Sequence, residues 1–226
     1  MSYNLKDIPS RRFCFFLAAL CVSSALFAQP ISQIALRADN LIDGISEEVM
    51  KSKVVLVTGN VISAIIPENE IPPEAIKIDL TGTTLMPGMI NAHEHPLIYS
   101  DDYQSAHLAA SSAYKALLGL SNLQSLLRAG WTTIRVMGDA DVYYAVQDIR
   151  RTIDEGIFVG PRLTGAGHYI STTGGGGDIN YLSPEQKVIP DGLIADGADE
   201  IRKAIRKEVK YGSDWIKIMV TGAFMS

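Results

Sequence analysis

The chain has 226 residues, 47% hydrophobic and 20% charged, with a formal net charge of −5. That composition excludes collagen-like, low-complexity and disordered chains and leaves enough apolar material for a buried core. The acidic balance argues against nucleic acid as a partner, because such interfaces are basic.

The first feature in chain order is a leader. Ser10-Arg11-Arg12 precedes an apolar run of 16 residues, Phe13 to Ala28, that ends Ala25-Leu26-Phe27-Ala28. This predicts a secretory signal peptide over residues 1–28, cleaved after Ala28. The run is shorter than the roughly 20 residues of a membrane span, so no stable anchor is expected after cleavage. The mature chain is expected outside the cytoplasm, periplasmic or secreted. Both cysteines, Cys14 and Cys21, lie in the leader, so the mature chain offers neither a disulfide nor a thiolate ligand.

Residues 29–84 read as a small β module. ISQIALRADNLIDG, KVVLVTGNVISAI and AIKIDLTGTTLMPG are short, rich in Val, Ile and Thr, and broken by Gly and Asn. Gly59-Asn60 between two apolar runs predicts a hairpin. Pro67 and Pro72-Pro73 predict loops.

From residue 85 onward apolar strands alternate with amphipathic helices. LMPGMINAH is the first strand, residues 132–138 the second, 161–167 the third and 215–222 the fourth. Helices are predicted over His107–Ala129, Val142–Glu155 and Asp199–Tyr211. Leu117, Leu120, Leu123 and Leu127 mark the first helix, and Val142, Val146, Ile149 and Ile153 the second. Glycines 130, 156 and 212 stop them, and Asp139 or Asp141 is placed to cap the second. The alternation predicts an α/β fold with a parallel sheet. The first βα turn has no GxGxxG and no lysine-containing phosphate loop follows the glycines, which argues against a nucleotide-binding sheet. The 142 residues from Leu85 to Ser226 yield four strands, where a full barrel takes about 250 residues and eight. The expectation is the N-terminal half of a (β/α)8 TIM barrel.

Chemistry concentrates in two places. His93 and His95 end the first strand, and residues two apart on a strand project to one face. Two imidazoles at the C-terminal mouth of a barrel can hold one divalent metal. The alternative is a pair of polar residues in a surface loop closed by Pro96. Lys217 lies among Trp215, Ile216, Ile218, Met219 and Val220. Burial of an ammonium favours its neutral form, and a neutral amine adds CO₂ to give a carbamate with two oxygens. The alternative is a lysine snorkelling out of the strand end. His168 and Tyr169 close the third strand at the same mouth and are candidate substrate contacts. His107 reads as an exposed helix start. The TTGGGGD run, residues 172–178, reads as a flexible turn or a lid.

Taken together, PGMINAHEHP, GWTTIRVMGD, GPRLTGAGHYISTTGGGGD and GSDWIKIMVTGAFMS, preceded by a small β module, resemble the metal-dependent amidohydrolase superfamily. Within it the chain is most similar to the imidazolonepropionase-like and prolidase-like (Xaa-Pro dipeptidase) branch, over about residues 34–226. The resemblance implies that the β module is part of a composite β-sandwich. It implies a divalent metal cofactor, zinc foremost, as one or two ions, with His93, His95 and a carbamylated Lys217 as ligands. It also implies hydrolysis of amide or peptide-like C–N bonds in a small molecule or dipeptide, such as an Xaa-Pro dipeptide or an N-acyl amino acid. Relatives add two histidines from strands five and six and a general-base aspartate from strand eight. No catalytic residue is therefore expected within residues 1–226, and the chain is expected to be an N-terminal fragment. The alternative is a catalytically incomplete half-barrel that at most binds metal. Relatives often carry a histidine where this chain has Gly176. A homo-oligomer is compatible with all of this.

Overall fold

The structure, a computed structural model, describes residues 32–222. The leader predicted over residues 1–28 lies outside them. The chain divides into two compact units, with the boundary between Pro87 and Gly88.

The first unit is built on one sheet. β1 (Gln33–Leu41) runs antiparallel to β2 (Met50–Lys51) and β3 (Lys53–Thr58), and β3 runs antiparallel to β4 (Val61–Pro67). Gly59 sits at φ +63 in the tight turn between β3 and β4, a conformation glycine adopts without steric cost. Reading the module as hairpins alone fails at β5 (Ile76–Leu85), which pairs with β1 in parallel. The return through a 3-10 turn at Glu68–Glu70 and the Pro72-Pro73 loop makes this possible, because a parallel partner needs a crossover rather than a tight turn. Ala35, Val54, Leu56 and Ala75 form the buried cluster. Arg37 binds Glu68 and Asp79 on the exposed side.

The second unit alternates strands and helices, an α/β arrangement. β6 (Met89–Glu94), β7 (Trp131–Met137) and β8 (Arg162–Ala166) form a parallel three-stranded sheet. β9 (Tyr169–Ser171) lies between β10 (Leu193–Ile194) and β11 (Lys217–Met219) in a second parallel sheet. The predicted fourth strand is thus shorter and is laddered to β9, not to β8. The extended third strand breaks at Gly167-His168, where Gly167 O accepts from Asp139 N at 3.0 Å.

The helix predicted over His107–Ala129 is two helices, α1 (Tyr103–Ala109) and α2 (Ser112–Arg128). Ala110 is extended, and the Ser111 side chain accepts from Tyr114 N to start α2 afresh. The stripe that α2 buries is Lys115, Gly119 and Leu123, while Leu117 is 70% exposed. α3 (Ala145–Asp154) starts later than predicted because Tyr144 takes a left-handed conformation at φ +63. Tyr144 is the N-cap residue and makes no side-chain cap; Asp141, before it, accepts from Ala145 N through Oδ2 at 3.0 Å. α4 (Gly197–Lys210) has Asp199 and Glu200 in its first turn and Lys207 and Lys210 in its last, which complements the helix dipole. Leu97, Leu123, Ile134, Val136, Val146, Ile149 and Leu163 form the main core between helices and sheet. Among the described residues no helix is long and apolar enough to cross a membrane.

Candidate metal and active site

β6 delivers His93, and His95 follows one residue past its end. Their Nε2 atoms face each other at 3.2 Å, with the rings 65° apart. His95 Nδ1 lies 2.6 Å from the carbonyl oxygen of Gly138, at the end of β7. A carbonyl only accepts, so Nδ1 carries the proton and the Nε2 lone pair of neutral His95 is turned toward His93. Burial lowers the His95 pKa below its ordinary 6.5. The Gly138 hydrogen bond opposes this, and the charges of His93 and Lys217 add to it. The ring is thus held neutral and oriented, the form a divalent ion requires.

The turn after the pair is braced from several sides. Glu94 points away from the pair, accepting from Asn91 Nδ2 at 2.6 Å and from His95 N at 3.0 Å. Asn122 of α2 donates to Pro96 O at 3.0 Å. Asp139 is not a helix cap. It is fully buried and accepts from Leu97 N at 2.9 Å and Ala140 N at 3.0 Å, which clamps the loop after β6 to the end of β7. Burial pushes its carboxyl up to about 8 against those two bonds.

Lys217 is the first residue of β11, half-buried, and pairs in register with Tyr169 of β9. Registered residues on neighbouring strands share a sheet face. The Tyr169 ring meets the His95 ring edge-on at 6.4 Å, so Lys217 lies on the His95 side. Met137, Ala166, Trp215 and Lys217 line a cavity of 110 Å³. A far larger groove, 1040 Å³, is lined by α3 and α4 with Tyr144 and Tyr211, and none of the three candidate ligands borders it.

The donor set fits a divalent cation: two convergent imidazole nitrogens, with Lys217 on the same side of its sheet. Among the described residues no group of three or more His, Cys, Asp or Glu side chains is placed to hold a metal. The two candidate substrate contacts are corrected by burial. His168 is 0% exposed and turns to the helix side, where its Nδ1 lies 2.7 Å from Glu208 Oε1 of α4. Tyr169, the next residue and so on the opposite face, is 1% exposed behind His95. Both side chains are closed off from solvent in this arrangement.

His107 is likewise not an exposed helix start. It is buried in α1, its Nε2 3.0 Å from Ile189 O and its Nδ1 3.0 Å from Lys115 Nζ. The glycine run is tied down rather than free. Gly176 N donates to Thr221 O, Gly177 N to Ser171 Oγ, and Tyr103 and Gln104 donate to the carbonyls of Gly176 and Asp178. Sequence reasoning missed the Gly138 carbonyl and Asp191. The first is a backbone atom, and the second is an unremarked residue of a proline-flanked loop.

Comparison with known proteins identifies the chain's relatives. The amidohydrolase family matches residues 84–226. An ochratoxinase of Aspergillus niger is 25% identical over 199 residues, covering 79% of this chain and 40% of that protein. A prolidase solved with N-methylphosphonate-L-proline superposes with a TM-score of 0.74 at 26% identity, over 86% of this chain and 48% of the other. An Xaa-Pro dipeptidase with methionine in its active site gives 0.71 at 30% identity, over 83% and 47%. This chain therefore spans roughly half the length of the proteins it matches. With the family match covering well over half of its residues, the chain belongs to the amidohydrolase family.

Proposed function

We propose that this chain supplies the first half of a (β/α)8 barrel hydrolase that cleaves amide or peptide-like C–N bonds. His93, His95 and Lys217 would hold one or two divalent ions, with zinc the first candidate. The observation that carries this reading is the 3.2 Å approach of the two Nε2 atoms, with the His95 tautomer set by Gly138. When bound, such an ion polarises a carbonyl and acidifies water. The protein's part is orientation. Gly138 fixes one imidazole, the Asp139 clamp fixes the turn that carries it, and the β9–β11 register fixes Lys217. Addition of CO₂ to the Lys217 amine would release a proton and leave a carbamate, a two-oxygen anion.

The prolidase and Xaa-Pro dipeptidase relatives support a small substrate with an amide-type bond, an Xaa-Pro dipeptide first; an N-acyl amino acid is the other candidate. The leader-like residues 10–28 support export to the periplasm or beyond. The test is hydrolysis of both substrate classes by the full-length protein after chelation and after zinc is restored. No turnover of either class in the zinc-restored protein rejects the reading. A second reading, a chain that binds metal without turning substrate over, is favoured by the lack of a third His, Asp or Glu beside the pair among the described residues. It predicts zinc binding without hydrolysis.

A further inference from the structure

Tyr169 is buried against the histidine pair, its ring edge-on to His95. Its hydroxyl donates to Asp191 Oδ2 at 2.5 Å. Asp191 is 0% exposed, and its other oxygen has no hydrogen-bond partner. A buried carboxylate left half-satisfied is costly, so its presence calls for a reason. Two glycines press on the ring: a Cβ at Gly177 or at Gly192 would lie 2.8 Å from Tyr169 ring carbons. Gly192 N also donates to Gly177 O at 2.9 Å, closing the loop around the ring.

The same residue adjoins two of the three candidate ligands, His95 and Lys217. Its ring edge meets His95. Its backbone is registered with Lys217. A Cβ on Gly138, whose carbonyl holds His95, would lie 2.4 Å from Tyr169 N. We infer that Tyr169, locked by Asp191, is a positioning residue of the metal centre. It sets the orientation of His95 and the placement of Lys217, and it couples both to the loops at Gly177 and Gly192. The inference rests on the proposal that this pair binds metal. Outer partners of this kind hold ligands in place without touching the ion.

The experiment is zinc affinity of the full chain, read by competition with a chromophoric chelator. Wild type is compared with His95→Ala, Tyr169→Phe, Asp191→Asn and Tyr144→Phe. Tyr144→Phe removes another buried tyrosine–carboxylate bond, to Glu208 at 2.9 Å, on the helix side. Tyr169→Phe should bind zinc about tenfold more weakly, Asp191→Asn should shift the same way, and Tyr144→Phe should stay within about twofold of wild type. Unchanged affinity in Tyr169→Phe overturns the inference, as does an equal loss in Tyr144→Phe. Should Tyr169→Phe fail to fold, unchanged affinity in Asp191→Asn overturns it. Zinc binding in wild type that His95→Ala leaves intact, or none at all, rejects the metal reading itself and the inference with it.

Discussion

His93 and His95 turn their Nε2 atoms toward each other at 3.2 Å, and among the described residues only the His95 imidazole is tethered from behind. His95 is held by Gly138 O, whereas His93 is exposed, and its backbone N donates to Asn91 Oδ1 at 3.0 Å. The pair therefore consists of one fixed and one adjustable imidazole.

Removing either ring should abolish the site. His93→Ala and His95→Ala are each expected to lower zinc affinity by more than the roughly 10–100-fold that loss of an outer-shell partner costs. Chelator competition measures this, and a variant that keeps wild-type affinity would return the pair to a polar surface turn.

Lys217→Ala is expected to reduce bound metal per chain and, in the full-length protein, hydrolysis. Short carboxylates such as formate or acetate should restore part of both if Lys217 acts as a carbamate, because they would replace its two oxygens. Metal analysis with and without added carboxylate is the measurement. Unchanged metal content would leave Lys217 as a lysine at a strand end.

Gly138→Ala should be severely destabilising. Gly138 is at φ +83, and a Cβ there would lie 2.4 Å from Tyr169 N and 2.5 Å from His168 C, which are backbone atoms that cannot rotate away. The cost is expected on the order of 3 kcal/mol from overpacking and backbone strain together. Urea unfolding reads the loss, and zinc affinity should fall with it as the carbonyl that holds His95 moves.

Glu208 gives a pH signature. Burial opposes its ionisation, but hydrogen bonds from His168 and Ser213 outweigh burial and hold its pKa below the ordinary 4.5. A depressed carboxylate stabilises the fold above the unfolded-state value, and that stability is lost as pH falls through the folded value. Glu208→Gln should therefore cost about 1–3 kcal/mol at pH 7. It should also flatten the acid limb of a stability curve measured below pH 4.5. An unchanged acid limb would show that the Glu208 network does not govern acid unfolding.

Much of the organisation was legible from residues alone because it is local. Strand and helix alternation after residue 85 follows from periodicity, and the Gly59-Asn60 turn follows from turn chemistry. The projection of His93 and His95 to one side follows from the two-residue repeat of a strand. What the sequence could not decide was the environment of each polar group. His168 and Tyr169 read as a pair at a strand end, yet one turns to Glu208 and the other backs His95. Their burial depends on α4, the Gly177–Gly192 clasp and Asp191, which lie 8 to 40 residues away in the chain. His107 and Asp139 were misjudged for the same reason, because their partners, Ile189 and Leu97, are brought to them only by folding. Local pattern sets which face a side chain takes; only packing of distant segments sets whether that face meets water, a hydrogen-bond partner or a metal.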